Sequence, residues 1–342
     1  SWQWWPVVHP KRGFRMIKLL ISDDSAFMRI AIRKMVEGHA DIEVVGEART
    51  GQMCVEMAET LRPDVITMDV EMPVMDGLEA TRQIMARCPT PIVMLSSLTE
   101  RNSVTTIKAL ELGAVDFIAK KSSFVQLDIV KIGDELVDKL RYWAKKRARF
   151  ATGGLKSERS RIDPSTPVYQ RKTENQGVPG LIVLGISTGG PATLPQTLKA
   201  MGKLKCPLVV AQHMPPMFTS GFARHLSTET GLNVVESTDG MEAKPGMVII
   251  IKGGSDAVIR EPFPGRIMLY ERTSTEANIH PNADVLFRSA ATVSCPVVAV
   301  VMTGMGRDGM VGAQELVTRK ACPVLVPVSY THLRAHETKA NL

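Results

Sequence analysis

Short β-branched runs alternate with amphipathic stretches along most of this chain, and few folds accept that alternation. From Ile17 to about Arg141 the runs are Ile17–Ser22, Ile42–Val45, Val65–Asp69, Ile92–Ser96 and Asp116–Ala119. Between them, Ser25–Val36, Gly77–Ala86 and Ser103–Leu112 place apolar residues such as Ile30, Met35 and Val36 at helical spacing. Strands separated by helices lie parallel, because each crossover returns the chain to the same edge of the sheet.

A second series of the same kind begins at Leu181. Its strands are Leu181–Ile186, Leu208–Gln212, Val248–Lys252 and Val297–Thr303, with helices near Pro191–Met201, Phe218–Thr230 and Ala283–Val293. Between the two series, Lys145 to Gly180 loses apolar periodicity and gathers glycine, proline and basic residues, the composition of a flexible linker. The expected fold is therefore α/β, with two doubly wound parallel-sheet domains joined by that linker.

Charge and cysteine usage narrow the function classes. The chain has 342 residues and a formal charge of +7. Nine lysines and arginines against Glu158 and Asp163, between Lys145 and Lys172, account for that excess and leave the flanking halves neutral together. The basic excess that might suggest a nucleic-acid partner therefore sits outside both predicted domains. The longest apolar run, Val297–Met302, is far short of the roughly 20 residues a membrane span needs. Cys54, Cys88, Cys206, Cys295 and Cys322 are odd in number and never form C-x-x-C, which argues against a disulfide framework or zinc site and for a reducing, cytoplasmic location. Residues 1–15, with Trp2, Trp4 and Trp5 ahead of Lys11 and Arg12, reverse the order of a secretory signal, and Met16 reads as the natural start.

In the first half, strand one runs into Asp23-Asp24-Ser25 and strand three ends on Asp69, so three carboxylates converge at the C-terminal edge of a parallel sheet. A hard divalent cation such as Mg²⁺ would relieve that repulsion. Lys120, closing strand five, adds a positive charge, and Asp69 is then placed to accept a phosphoryl group as nucleophile, with Ser96 able to hydrogen-bond the phosphate. Taken singly, each aspartate reads equally well as a helix or turn cap. Together, Asp23-Asp24, Asp69-Val70-Glu71-Met72-Pro73-Val74-Met75-Asp76-Gly77, Ser96-Ser97 and Lys120 resemble the receiver domain of bacterial two-component response regulators. The resemblance implies a flavodoxin-like domain with Asp69 as phosphoacceptor, and Asp23, Asp24 and the Glu71 carbonyl joining it around Mg²⁺. It further implies Ser96 and Lys120 as phosphate-sensing residues, Phe117 as the switch aromatic, and a histidine kinase as phosphodonor. Lys121 departs from it, since receivers usually carry proline there.

In the second half, Leu181–Ile186 breaks into Gly185-Ile186-Ser187-Thr188-Gly189-Gly190-Pro191, so Ser187 sits on a sharp strand-to-helix turn that satisfies G-x-S-x-G. Helix N-terminal amides there favour developing negative charge. A phosphate-binding glycine loop is the competing reading, but neither G-x-G-x-x-G nor G-x-x-x-x-G-K-[ST] occurs. One βα unit on, the next strand ends in Gln212-His213-Met214-Pro215, and the last clear strand leads into Gly304-Met305-Gly306-Arg307-Asp308-Gly309. Three strand ends thus supply a nucleophile, a base and an acid that can orient the base.

These three motifs, with Phe218–Ala223 and Asp284–Ser289, resemble the catalytic domain of the chemotaxis protein-glutamate methylesterases, a Rossmann-like fold. The resemblance implies that Ser187 attacks a glutamate methyl ester on a chemoreceptor, that His213 and Asp308 complete the triad, and that the Met305 amide serves the oxyanion. It implies a cytoplasmic enzyme whose receiver covers the catalytic cleft until Asp69 is phosphorylated, a phospho-switched hydrolase of chemotactic adaptation. Some members of that family also deamidate receptor glutamines; the sequence leaves this open. The expected division is a leader over 1–15, receiver over 16–144, linker over 145–180, catalytic domain over 181–328 and a tail over 329–342.

Departures cluster late. Lys252-Gly253-Gly254 stands where the family tends to Pro-Gly-Gly, with Asp256 near a usual histidine, and no chemistry is assigned to them. Thr318–Val324 leaves the family pattern, and Ser329–Leu342 reads as a foreign tail replacing the end of the catalytic domain. Two other readings are weighed. A receiver with a DNA-binding output would place a helical or winged domain with a basic recognition helix after the linker, against the α/β series found there. A non-catalytic adaptor that binds receptors and switches partners on phosphorylation would be indifferent to Ser187→Ala.

Overall fold

The computed structural model describes residues 16–97, 100–120, 126–151, 179–272, 280–302, 308–320 and 322–325. The leader 1–15, Lys121, Met305 and the tail 329–342 lie outside the described residues. Two compact units form.

Along residues 16–151 the elements are β1 (Ile17–Ser22), α1 (Ala26–Glu37), β2 (Ile42–Ala48), α2 (Gly51–Leu61), β3 (Val65–Asp69), α3 (Gly77–Arg87), β4 (Ile92–Ser97), then α4 (Glu100–Glu111), β5 (Asp116–Lys120) and α5 (Gln126–Ala151) in sequence, and all of them but α4 make up the first unit. Its parallel sheet runs β2-β1-β3-β4-β5. Leu19, Leu20 and Ile21 are fully buried, as expected of a parallel strand covered on both faces. Each such side chain contributes roughly 1.5–3 kcal/mol by leaving water. Ser25, Thr50 and Asp76 start α1, α2 and α3 by accepting the amides of Met28, Met53 and Glu79, which satisfies backbone donors the helix cannot.

α1 differs from its expected pattern: Ile30 is exposed and Arg29 is buried beside Ile32 and Val36. The reason lies at the sheet edge, where the Arg29 guanidinium finds acceptors. α5 also runs on to Ala151, so the basic stretch begun at Lys145 is helical at its start rather than linker. Arg147 meets Asp64 at 2.8 Å, a long-range ion pair that a composition reading cannot see.

Deeper in α5, Lys139 Nζ lies 2.9 Å from Asp116 Oδ1 and also donates to the Phe117 carbonyl, and Trp143 Nε1 donates to Asp116 Oδ2 at 3.4 Å. Burial alone would lower the Lys139 pKa; Asp116 and Glu135 instead hold it above the usual value. Removing one partner strands a buried charge. Asp116→Ala should therefore cost about 3–5 kcal/mol, read as a lower urea midpoint for the first unit, whereas an unchanged midpoint would show the pair to be dispensable.

The second unit comprises β6 (Leu181–Ile186), α6 (Gly190–Met201), β7 (Leu208–Gln212), α7 (Pro216–Thr230), β8 (Asn233–Glu236), β9 (Met241–Glu242), β10 (Met247–Ile250), β11 (Asp256–Phe263), β12 (Arg266–Arg272), α8 (Ala283–Ala290), β13 (Val297–Val301), α9 (Met310–Lys320) and β14 (Val324–Leu325). The parallel sheet runs β14-β13-β6-β7-β10-β8. β6 lies between β7 and β13, so the turn leaving β6 opens between the ends of both neighbours, at the point where the strand order reverses. Against this sheet, Phe287 and Leu286 of α8 join Val183, Val209 and Ala299 in one fully buried core.

Two features depart from expectation. β11, β12 and β9 form a separate antiparallel sheet, with Pro264 and Gly265 between the first two strands. The region expected to leave the family pattern supplies the last turn of α9 and then β14, which pairs with β13 at the sheet edge.

Candidate active site and phosphoacceptor pocket

Where β1 and β3 diverge to opposite crossovers, the first unit gathers its acids. Asp23 follows β1, is fully buried, and accepts the Ser25 amide at 3.0 Å on Oδ1. Asp69 ends β3 and accepts the Val70 amide at 2.7 Å. Lys120 ends β5 and bridges them, its Nζ 2.9 Å from Asp23 Oδ2 and 2.8 Å from Asp69 Oδ2. Asp23, Asp24 and Asp69 each bring one oxygen within 4.8 Å of the others. Three hard oxygen donors so close fit a hard divalent cation of the Mg²⁺ type.

Burial, reinforced by the Asp23 carboxylate, pushes the Asp69 pKa up to about 6, although Lys120 opposes it. For Lys120 burial works downward, but the two aspartates hold its pKa above the ordinary value. Arg29 supports the same pocket from behind, donating from Nη1 to the Asp23 and Asp24 carbonyls at 2.9 and 3.0 Å while its Nε faces Glu47. Ser96, on β4, and Phe117, on β5, are both buried, and Glu71, two residues beyond Asp69, is exposed. Gly77 is confined by backbone: a Cβ there would lie 2.0 Å from the Asp69 carbonyl oxygen.

In the second unit, Ser187 follows β6, His213 follows β7, and Asp308 follows β13 and precedes α9. Ser187 Oγ lies 3.0 Å from His213 Nδ1, and His213 Nε2 lies 2.7 Å from Asp308 Oδ2. With Nε2–H donated to the carboxylate, the Nδ1 lone pair faces the serine hydroxyl. The ring is thus used the other way round from the serine-protease arrangement, where Nε2 faces serine. The His213 amide donates to the Ile186 carbonyl at 3.1 Å, and Gln212 Nε2 donates to the Ser187 and His213 carbonyls, both at 3.1 Å. A Cβ at Gly190 would lie 1.7 Å from Gln212 Oε1, so the helix start must be glycine for the glutamine to fit.

Asp308 is seated on the N-terminus of α8: Ala283 N donates to Oδ2 at 2.7 Å and Asp284 N to Oδ1 at 3.0 Å. Burial works to raise its pKa, but the His213 hydrogen bond and these amides outweigh it and hold it below the ordinary value. Asp308 is therefore anionic across the neutral range, the state that stabilises an imidazolium.

Two family models match the chain: "CheB methylesterase" over residues 182–326 and "Response regulator receiver domain" over residues 19–130. A protein-glutamate methylesterase/protein-glutamine glutaminase of Carboxydothermus hydrogenoformans is 39% identical, over 88% of this chain and 86% of its own length. The protein of the same name from Bacillus subtilis is 38% identical, over 89% and 86%. The chain belongs to the CheB methylesterase family. Among solved structures, the response regulator domain of Thermotoga maritima CheB is 45% identical, matching 38% of this chain and 98% of that one with a TM-score of 0.36. The CheB catalytic domain of the same organism is 28% identical, matching 47% and 98%, with a TM-score of 0.40.

For this CheB-family chain, sequence reading missed several residues that hold the site. Arg29 and Gln212 look like ordinary polar positions on a helix and at a strand end. Asp256 is fully buried and accepts His280 Nδ1 at 3.0 Å and the Asn282 amide at 2.7 Å, so it anchors the start of α8. Asn282, a favoured helix-start residue that accepts the Val285 amide, is the sequence feature that could have pointed to the start of α8.

Proposed function

We propose that this chain hydrolyses glutamate methyl esters on chemotaxis receptors, releasing methanol, and that phosphorylation of Asp69 by a chemotaxis histidine kinase raises the rate. The carrying observation is the hydrogen-bonded relay from Ser187 Oγ through His213 to Asp308 at three neighbouring strand ends. The names of the relatives, which join methylesterase to glutaminase, support the substrate class and extend it to receptor glutamines.

In this reading Ser187 Oγ attacks the ester carbonyl while its proton passes to His213 Nδ1, and Asp308 holds the Nε2 proton and balances the imidazolium. Collapse of the tetrahedral intermediate expels methoxide, which takes the Nδ1 proton and leaves as methanol. Water then gives a proton to Nδ1 as its oxygen attacks the acyl-serine, and glutamate departs with Ser187 reprotonated. A primary amide follows the same path with ammonia as leaving group. Met305, proposed as the oxyanion donor, lies outside the described residues.

In the first unit Asp69 is the phosphoacceptor, with Ser96 and Lys120 sensing the phosphate and Phe117 following it. Asp23, Asp24, Asp69 and the Glu71 carbonyl would hold Mg²⁺, which supplies positive charge against the phosphoryl oxygens. The working location is cytoplasmic, with no nucleic acid partner and no membrane insertion. No helix among the described residues is long and apolar enough to cross a membrane.

The test is methanol release from carboxymethylated chemoreceptor membranes by the purified chain with Mg²⁺, with and without acetyl phosphate. Release that rises with the phosphodonor is expected. Absence of release from folded chain would overturn the hydrolase reading in favour of a non-catalytic receptor-binding adaptor.

A further inference from the structure

We infer that Asp284 is a positioning residue for ester hydrolysis: its carboxylate fixes the first turn of α9 and so sets the Asp308 carboxylate against His213. The inference rests on the Ser187–His213–Asp308 reading above.

Helix starts leave backbone N–H groups without intrahelical acceptors. α8 and α9 solve this by exchange. Asp308, just ahead of α9, takes the Ala283 and Asp284 amides of α8 on its two oxygens. Asp284, in the first turn of α8, does the converse by accepting the Gly312 amide of α9 on Oδ1 at 2.6 Å. Each carboxylate therefore caps the other's helix.

This reciprocity matters because Asp308 Oδ2 is shared between the Ala283 amide and His213 Nε2, both at 2.7 Å. Any slip of α9 along α8 moves that oxygen relative to the imidazole. α8 is itself anchored by the buried Leu286 and Phe287 and by the Asp256 contact to the Asn282 amide. α9 approaches it so closely that a Cβ at Gly312 would lie 2.7 Å from the Asp284 carbonyl oxygen and from Phe287 Cβ. Of the other polar ties between these helices among the described residues, the Arg288–Glu315 pair is part-exposed and sits further along both. Exposed pairs hold geometry weakly, which leaves the Asp284 contact as the tie nearest to Asp308.

The test compares Asp284→Ala, Asp284→Asn, Asp308→Ala and the Asp284→Ala/Asp308→Ala pair. The readouts are kcat and KM for methanol release and the rate at which a fluorophosphonate probe labels Ser187, with the labelling endpoint giving the folded fraction. Asp284→Ala should lower kcat and the labelling rate about 10- to 100-fold with KM changed less than about twofold, the scale of a misplaced catalytic group. Asp284→Asn keeps an oxygen for the Gly312 amide and should stay within about threefold of the parent. In the Asp308→Ala background, Asp284→Ala should add less than about twofold, because it acts only through Asp308. A loss that merely tracks the folded fraction, or one that recurs in full in that background, would overturn the inference. Should Asp284→Ala not fold, Asp284→Ser, too short to span to Gly312, is read in the same way; failure of both to fold assigns Asp284 a structural role and also overturns it. Full activity in Asp308→Ala would instead refute the triad reading itself.

Discussion

Ser187→Ala should lower methanol release from methylated receptors by about 10⁴- to 10⁶-fold, the scale of losses when a serine nucleophile is removed from a relay of this kind. The expectation follows from position. Ser187 Oγ is the group facing the open nitrogen of His213, at 3.0 Å. The other end of that ring is committed to Asp308, at 2.7 Å. Alanine removes the attacking oxygen and leaves the ring, its carboxylate and the α8 amides in place, so the variant should fold and bind receptor normally.

The members of such a relay act as a unit, and their losses do not add. A Ser187→Ala/His213→Ala double variant should therefore be no slower than Ser187→Ala within about threefold. Initial rates of methanol release, corrected for folded protein, check both statements. Retention of a tenth or more of the parent rate in Ser187→Ala would remove the nucleophile from the proposal.

How far such a site can be read from sequence depends on which residues make it. β1, β3, β6 and β7 run over the spans their apolar runs indicate, because a parallel strand buried on both faces writes an unbroken hydrophobic segment. A residue that ends such a segment is thereby placed at the functional edge, and Asp23, Asp69, Ser187 and His213 were legible for that reason. The antiparallel sheet was not, although Pro264 and Gly265 mark its turn. Its strands carry Arg260, Glu261, Arg266, Glu271 and Arg272, and those charges break the apolar signal. Arg29 was hidden differently, since an arginine on an amphipathic helix defaults to solvent unless its acceptors are known, and here they are backbone carbonyls. The seating of Asp308 on α8 joins residues that lie 24 and 25 positions apart, and only tertiary structure brings them together.

Asp69→Asn should abolish stimulation by acetyl phosphate while leaving the unstimulated rate of ester hydrolysis in place. The amide cannot form the acyl phosphate, and Asp23 and Asp24 remain to bind a cation without a phosphoryl acceptor beside them. The same substitution should also make the metal-free first unit more stable at neutral pH. The Asp69 pKa is raised from 3.8 to about 6 in the folded chain, chiefly by burial, so the native state binds its proton more tightly than the unfolded state does. Stability from this group is then fully present below the unfolded value and is lost as pH rises through about 6. At pH 7 an ionised Asp69 is a cost of about 1–3 kcal/mol that asparagine does not carry. Urea midpoints of parent and variant, measured in EDTA, should coincide near pH 4 and separate in favour of Asp69→Asn above pH 6. A variant that is less stable than the parent at pH 7 would show that the Lys120 contact outweighs burial, and a variant still stimulated by acetyl phosphate would move the phosphoacceptor elsewhere.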